Sequence, residues 1–214
     1  MSIAAKICGL NDEAAIAAAV AGDAAFVGFV FYPPSPRNVS PQRAKALTAA
    51  VPAGVTRVGL FVDADDAAIA NALMAPLDLL QFHGAETPER VADAKRRFGL
   101  PVMKAIPVAA AEDVAIADRY LGIADRLLFD AKPPRERTDA LPGGNGLAFD
   151  WRLVGARTWP VPWMLSGGLT AGNLAEAVAT THAVAVDVSS GVEGRPGHKD
   201  PAKIAAFLSK AFSL

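Results

Sequence analysis

Cys8 ends an apolar run and is followed by Gly9. A thiol so placed is a base or a nucleophile if its pKa is lowered. As the only cysteine of the chain it is otherwise a small buried hydrophobe. Asp130 leaves the run Leu127-Leu128-Phe129. A carboxyl in an apolar surround has a raised pKa and can donate a proton near neutrality. The competing reading is a helix cap or an ion pair with Arg135 or Arg137. Arg37 follows Pro33-Pro34-Ser35-Pro36, which stiffen the loop. Its guanidinium can clamp a carboxylate bidentately, or lie solvated at the surface. Gln81-Phe82-His83-Gly84 closes a further run, with His83 either a base or a hydrogen-bonded structural ring. Lys104 interrupts another run, and either points into the centre of the fold or binds a ligand anion. Asp63 also stands at the end of an apolar run.

The elements that must hold these groups alternate. Runs rich in Val, Ile, Leu and Phe occupy 3–8, 26–31, 57–62, 77–82, 102–106, 126–129, 161–165 and 183–188. Each has the length of a strand, and most are apolar at consecutive positions, as in parallel strands covered on both faces. Ala-rich segments with helical spacing lie between and after them, at 11–21, 41–50, 65–74, 88–98, 111–122, 150–156, 172–180 and 201–212. Ser40-Pro41, Thr87-Pro88 and Asp200-Pro201 are helix-start signals, an oxygen-bearing cap followed by proline. Eight strand–helix units in 214 residues, about 27 residues each, predict a single closed (β/α)8 barrel of parallel strands spanning 1–214. An open doubly wound sheet is the alternative, but no G-x-G-x-x-G follows Cys8. The longest break, 133–142, reads as a loop after the sixth strand.

Chemistry in such a barrel lies at the C-terminal ends of the strands, and phosphate is often held by the loops after strands 7 and 8. Those loops are Ser166-Gly167-Gly168-Leu169 and Ser189-Ser190-Gly191-Val192. Glycines with small hydroxyls let backbone N–H groups approach an anion. The plainer reading is that the glycines only permit tight turns. Gly143-Gly144-Asn145-Gly146 is a flexible turn able to wall the site.

Composition narrows the classes. The chain is 52% apolar, with net charge -1 from 21 basic and 22 acidic residues. Burial therefore supports a core, and no basic field favours nucleic acid or a membrane surface as partner. One cysteine allows no intrachain disulfide and no Cys-rich metal site, and His182 and His198 show no ligand spacing with His83. Residues 1–6 lack a signal-peptide core, and no run reaches the ~18 apolar residues of a membrane span. A cytoplasmic protein in a reducing compartment is expected, with monomer and homodimer both open.

In order along the chain, Lys6-Ile7-Cys8-Gly9-Leu10, Ser35-Pro36-Arg37, Gln81-Phe82-His83-Gly84, Gly143-Gly144-Asn145-Gly146, Phe149-Asp150-Trp151, Ser166-Gly167-Gly168-Leu169 and 187–193 closely resemble the phosphoribosylanthranilate isomerase family of tryptophan biosynthesis. The resemblance runs from residue 3 to about residue 203, and Pro196-Gly197-His198-Lys199-Asp200 is its most specific part. It implies a (β/α)8 barrel acting on a small phosphorylated substrate. The reaction implied is an Amadori rearrangement of N-(5'-phosphoribosyl)anthranilate, without metal or organic cofactor. The resemblance implies Cys8 as general base and Asp130 as general acid, with Asp139 close enough to compete for the second role. It implies Arg37 at the anthranilate carboxylate, Gln81 and His83 among the substrate-binding residues, and Gly167, Gly168, Ser189, Ser190 and Gly191 at the phosphate. Opening the ribosylamine ring needs a proton on the furanose oxygen, and the iminium left behind acidifies C2, so a modest base suffices. Asn11, Asn145 and Ala171-Gly172 depart from the commonest family pattern, but none replaces a proton-transfer group. A related barrel remains as an alternative, such as an indoleglycerol-phosphate synthase-like lyase, a sugar-phosphate epimerase or a non-catalytic phospholigand binder.

Overall fold

The structure, a computed structural model, describes residues 2–133 and 141–214. The apolar runs form eight parallel strands. They are β1 (Ala4–Cys8), β2 (Phe26–Phe31), β3 (Thr56–Phe61), β4 (Leu79–Phe82), β5 (Val102–Val108), β6 (Arg126–Ala131), β7 (Trp163–Leu165) and β8 (Ala185–Val188). Each strand pairs with the next, and β8 pairs back to β1, so the sheet closes into the expected barrel. The closing register sets Ala4 against Ala185 and Lys6 against Asp187.

The connecting helices are α1 (Glu13–Ala21), α2 (Pro41–Thr48), α3 (Asp66–Ala72), α4 (Pro88–Phe98), α5 (Ala111–Ala115), α6 (Arg152–Gly155), α7 (Leu174–Thr181) and α8 (Pro201–Phe212). The capping signals act as expected. Ser40 accepts from the Arg43 N–H, Thr87 from Arg90, and Asp200 from Ala202 and Lys203. Each such cap stabilises a helix start by about 1 kcal/mol. Asp12 and Asp65 also cap, so α1 and α3 begin after them rather than at 11 and 65.

In proportion to the segments their spacing predicts, two helices fall furthest short. The segment 111–122 is α-helical only over Ala111–Ala115 and then tightens into a 3-10 turn, Ile116–Tyr120. There Tyr120 is buried, and its hydroxyl donates to the Glu86 carbonyl at 2.7 Å. The segment 150–156 gives the single turn α6, where a β-carbon on Gly155 would stand 2.5 Å from the Thr180 carbonyl oxygen of α7. Strand β4 starts at Leu79 rather than 77, because the Asp78 carboxylate instead brackets the backbone N–H and guanidinium of Arg57. A hairpin of β9 (Glu193–Arg195) and β10 (His198–Lys199) was not foreseen; strands this short leave no periodic signal.

The core has an outer and an inner part. Ile7, Val27, Phe61, Leu80, Ile106 and Phe129 pack between strands and helices. Inside the barrel, Phe26, Val58, Leu79, Met103, Ala105, Leu128, Met164 and Ala185 form a separate apolar cluster. Cys8, Val30 and Leu60 form a third, with Tyr32 and Val62 against it. Because side chains alternate along a strand, Lys6 faces inward with Cys8.

Candidate active site

A cavity opens at the rim where the strands end. Cys8, Arg37, His83, Asp130, Gly167, Gly168, Ser189, Ser190 and Gly191 all line it. Residues from β1 and β6, from the position just after β4, and from the loops after β2, β7 and β8 thus converge on one space. Gln81 does not reach it. It is 0% exposed and sits beneath His83, with its Nε2 2.9 Å from His83 Nδ1.

His83 Nε2 in turn lies 3.1 Å from Asp130 Oδ2, and Asp130 Oδ1 accepts the Ala131 N–H at 2.9 Å. The carboxyl is buried, but its partners are polar, which corrects the apolar surround expected for it. The competing readings built on Arg135, Arg137 and Asp139 lie outside the described residues. The glycine loop 143–146 crosses directly above. A β-carbon on Gly143 would stand 2.5 Å from His83 Nε2 and 2.8 Å from Asp130 Oδ2.

Arg37 is 5% exposed, not a surface residue. Its Nε donates to Glu193 Oε1 at 2.7 Å and its Nη2 to Glu193 Oε2 at 2.9 Å and to the Gly144 carbonyl at 3.0 Å. The bidentate fork expected for a ligand carboxylate is therefore already taken by Glu193. Among the described residues no acceptor meets Nη1, which faces Gly144 at the cavity wall. Glu193 also accepts from Lys199 Nζ at 2.8 Å. Glu193 and Lys199 lie in the stretches that carry the family resemblance, but neither has a role legible in the sequence, because the hairpin that pairs them with Arg37 was not foreseen.

Burial by itself would raise the Glu193 carboxyl, yet Arg37 and Lys199 together hold it below its ordinary value. Burial pulls the Lys199 ammonium below its ordinary value against the attraction of Glu193. A carboxylate depressed in the folded state adds stability above its unfolded pKa of about 4.3, and loses it as pH falls through the lower folded value. Glu193→Gln is expected to unfold more easily at pH 7, by about 3 kcal/mol, because buried cations lose their counter-charge. Its denaturant-measured stability should also fall less steeply than that of the wild type below about pH 4. Equal slopes in that window would remove Glu193 as the source of the acid sensitivity.

Lys104 faces away from the barrel interior, which corrects one of its two expected placements. Its neighbours Met103 and Ala105 point inward, while its Nζ donates to Glu86 Oε2 at 2.9 Å and to the Gly84 carbonyl at 2.7 Å. Asp63 joins the same side network, accepting the Ala85 N–H at 2.7 Å.

The loops after β7 and β8 are built for close approach. Gly167 and Gly168 have φ of +87° and +64°, and a β-carbon on Gly191 would meet the Leu169 carbonyl oxygen at 1.9 Å. Among the described residues no acceptor meets the N–H of Gly168 or of Leu169. Backbone donors left open in a concave loop suit an anion. Ser189 Oγ donates to the Cys8 carbonyl at 3.1 Å, which ties this loop to the end of β1.

Burial pushes the Cys8 thiol above its ordinary value, against the pull of the Lys6 ammonium. Cys8 is only 4% exposed, but its exposed edge is on the cavity. A thiol, a carboxyl with a histidine beside it, a guanidinium and an open anion loop thus surround one volume, an arrangement suited to moving protons on a phosphorylated carboxylate-bearing substrate.

Comparison with known proteins agrees. The family model described as N-(5'phosphoribosyl)anthranilate (PRA) isomerase matches residues 5–210. The chain is 60% identical to the N-(5'-phosphoribosyl)anthranilate isomerase of Rhodospirillum centenum, over 100% of both chains. The crystal structure of phosphoribosyl anthranilate isomerase from Thermotoga maritima superposes with a TM-score of 0.86 at 34% identity, covering 99% of this chain and 100% of that one. A solved isomerase in complex with reduced 1-(o-carboxyphenylamino)-1-deoxyribulose 5-phosphate gives 0.83 at 33% identity, covering 99% and 100%. With matches of this extent over a barrel that gathers the motif residues at one rim, the chain belongs to the N-(5'-phosphoribosyl)anthranilate isomerase family.

Proposed function

We propose that Asp130 and Cys8 carry the two proton transfers by which the enzyme converts N-(5'-phosphoribosyl)anthranilate to 1-(2-carboxyphenylamino)-1-deoxy-D-ribulose 5-phosphate, the third step of tryptophan synthesis from chorismate. Asp130 gives a proton to the furanose oxygen. The C1–oxygen bond breaks, and the nitrogen lone pair closes a C1=N iminium. Cys8, as thiolate, then takes the proton from C2. The C2–H electrons form C1=C2, the iminium electrons return to nitrogen, and the resulting enolamine becomes the ketone as C1 takes up a proton and the C2 hydroxyl gives one up. The cation next to C2 is what lets a thiolate suffice.

The substrate is held at two ends. The phosphate rests on Gly167, Gly168, Ser189, Ser190 and Gly191, and the anthranilate carboxylate meets Arg37 through Nη1. His83 lies at the sugar between them, with Gln81 fixing its ring from below. Residues 1–214 work as one catalytic domain, and the lone free thiol is in keeping with a cytoplasmic setting. Among the described residues no helix is long and apolar enough to cross a membrane.

The observation that carries this reading is the convergence of Cys8, Asp130, Arg37 and both glycine loops on one cavity. The chain is expected to restore growth of a tryptophan auxotroph lacking the isomerase. Purified protein should rearrange the substrate without loss of carbon dioxide. Release of carbon dioxide, as a synthase-like lyase would give, or failure to complement with protein present, would overturn it.

A further inference from the structure

Lys6 is fully enclosed in the barrel, 0% exposed, and takes no part in the steps above. The β1–β8 register sets it opposite Asp187, and its Nζ donates to Asp187 Oδ1 at 2.8 Å. Asp187 is held in turn by Ser166, whose Oγ donates to Oδ2 at 3.2 Å. An ion pair in a barrel interior needs a reason, since apolar side chains of similar volume are often as stable there.

The reason lies two residues further along β1, where Cys8 faces the same way. Both side chains stand over Gly28, the register partner of Cys8 on β2. A β-carbon on Gly28 would be 3.1 Å from Cys8 Sγ and 3.2 Å from Lys6 Nζ. Sulfur and ammonium therefore share the space that a side chain would fill. The ammonium carries three protons, and Asp187 takes one of them.

We propose that Lys6, anchored by Asp187, is a positioning residue that stabilises the thiolate of Cys8 from inside the barrel and so readies it to take the C2 proton. This rests on the reading of Cys8 as the base. The charges facing the sulfur are Lys6 from β1, Asp187 from β8 and Lys199 from β10. Burial, foremost, and Asp187 oppose the thiolate, whereas Lys6 and Lys199 favour it. Burial alone would push Lys6 down, but Asp187 and Cys8 carry it above its ordinary value, so it stays charged at working pH. Gly28 is the residue that leaves room for the pair.

Cys8 is the only cysteine, so iodoacetamide alkylation reads its thiolate alone. The pH dependence of alkylation should show an inflection about one unit or more higher in Lys6→Met than in the wild type, the effect of removing a neighbouring opposite charge. Lys6→Met leaves Asp187 unpaired and can fail to fold. The double variant Lys6→Met/Asp187→Asn removes both charges, and its inflection should fall between the other two. A folded variant of either kind with an inflection at or below the wild-type value overturns the proposal, because a purely structural ion pair would change stability and leave the thiol titration in place. The pH profile of kcat/KM separates this from the reading beneath it. If the alkylation curve moves and the kcat/KM limb does not, Lys6 tunes the thiol as proposed and Cys8 is not the base.

Discussion

Cys8→Ala is expected to lower kcat/KM for isomerisation by about 10²–10⁴-fold, the usual contribution of a positioned proton-transfer group. The same variant should melt close to the wild-type temperature. The sulfur contacts a small cluster with Val30 and Leu60 at the cavity edge, outside both larger apolar clusters, so its loss opens little new void. Steady-state kinetics with a thermal melt on the same sample checks both halves. Turnover within a few-fold of the wild type in a folded Cys8→Ala protein would take the thiol out of the reaction. Cys8→Ser sharpens the test: it restores the shape, but its far less acidic hydroxyl should leave most of the loss in place.

The second large effect is expected at Asp130. Asp130→Asn keeps an oxygen for the Ala131 N–H and a polar atom facing His83 Nε2, so the local frame survives. On the proposed mechanism, what disappears is the proton for the furanose oxygen. The loss, again about 10²–10⁴-fold, should fall mainly on kcat rather than KM, since no anion-holding group is touched. A change confined to KM would mean that Asp130 binds the sugar and that the acid is elsewhere. Asp139 is then the next residue to replace.

Much of this was legible because one signal serves two purposes. Apolar runs covered on both faces reveal a parallel sheet, and a barrel fixes which end of each run bears chemistry. Cys8, His83 and Asp130 could therefore be named before any of them had a neighbour. The same double covering hides parity. A strand that alternates polar and apolar residues declares which face is inside, but Val102–Val108 and Ala4–Cys8 are apolar in both directions. Lys104 and Lys6 look alike in the sequence. One turns outward to Glu86 and the other inward to Asp187, and only the closed register tells them apart. Arg37 shows a second kind of blindness. Its partner Glu193 is 156 residues away on a hairpin of two very short strands, so no local pattern could report that its fork was occupied.

The seam where β8 joins β1 has a consequence for synthesis. The Lys6–Asp187 pair and the Ser189–Cys8 contact each span 181 residues, nearly the whole chain. Because β1 lies early and β8 late in the sequence, the Asp187 carboxylate beneath Cys8 and the Ser189 loop beside it reach their places only once β8 has been made and has docked. A polypeptide released before β8 is therefore expected to leave the barrel open at this seam, however well its earlier strands have assembled.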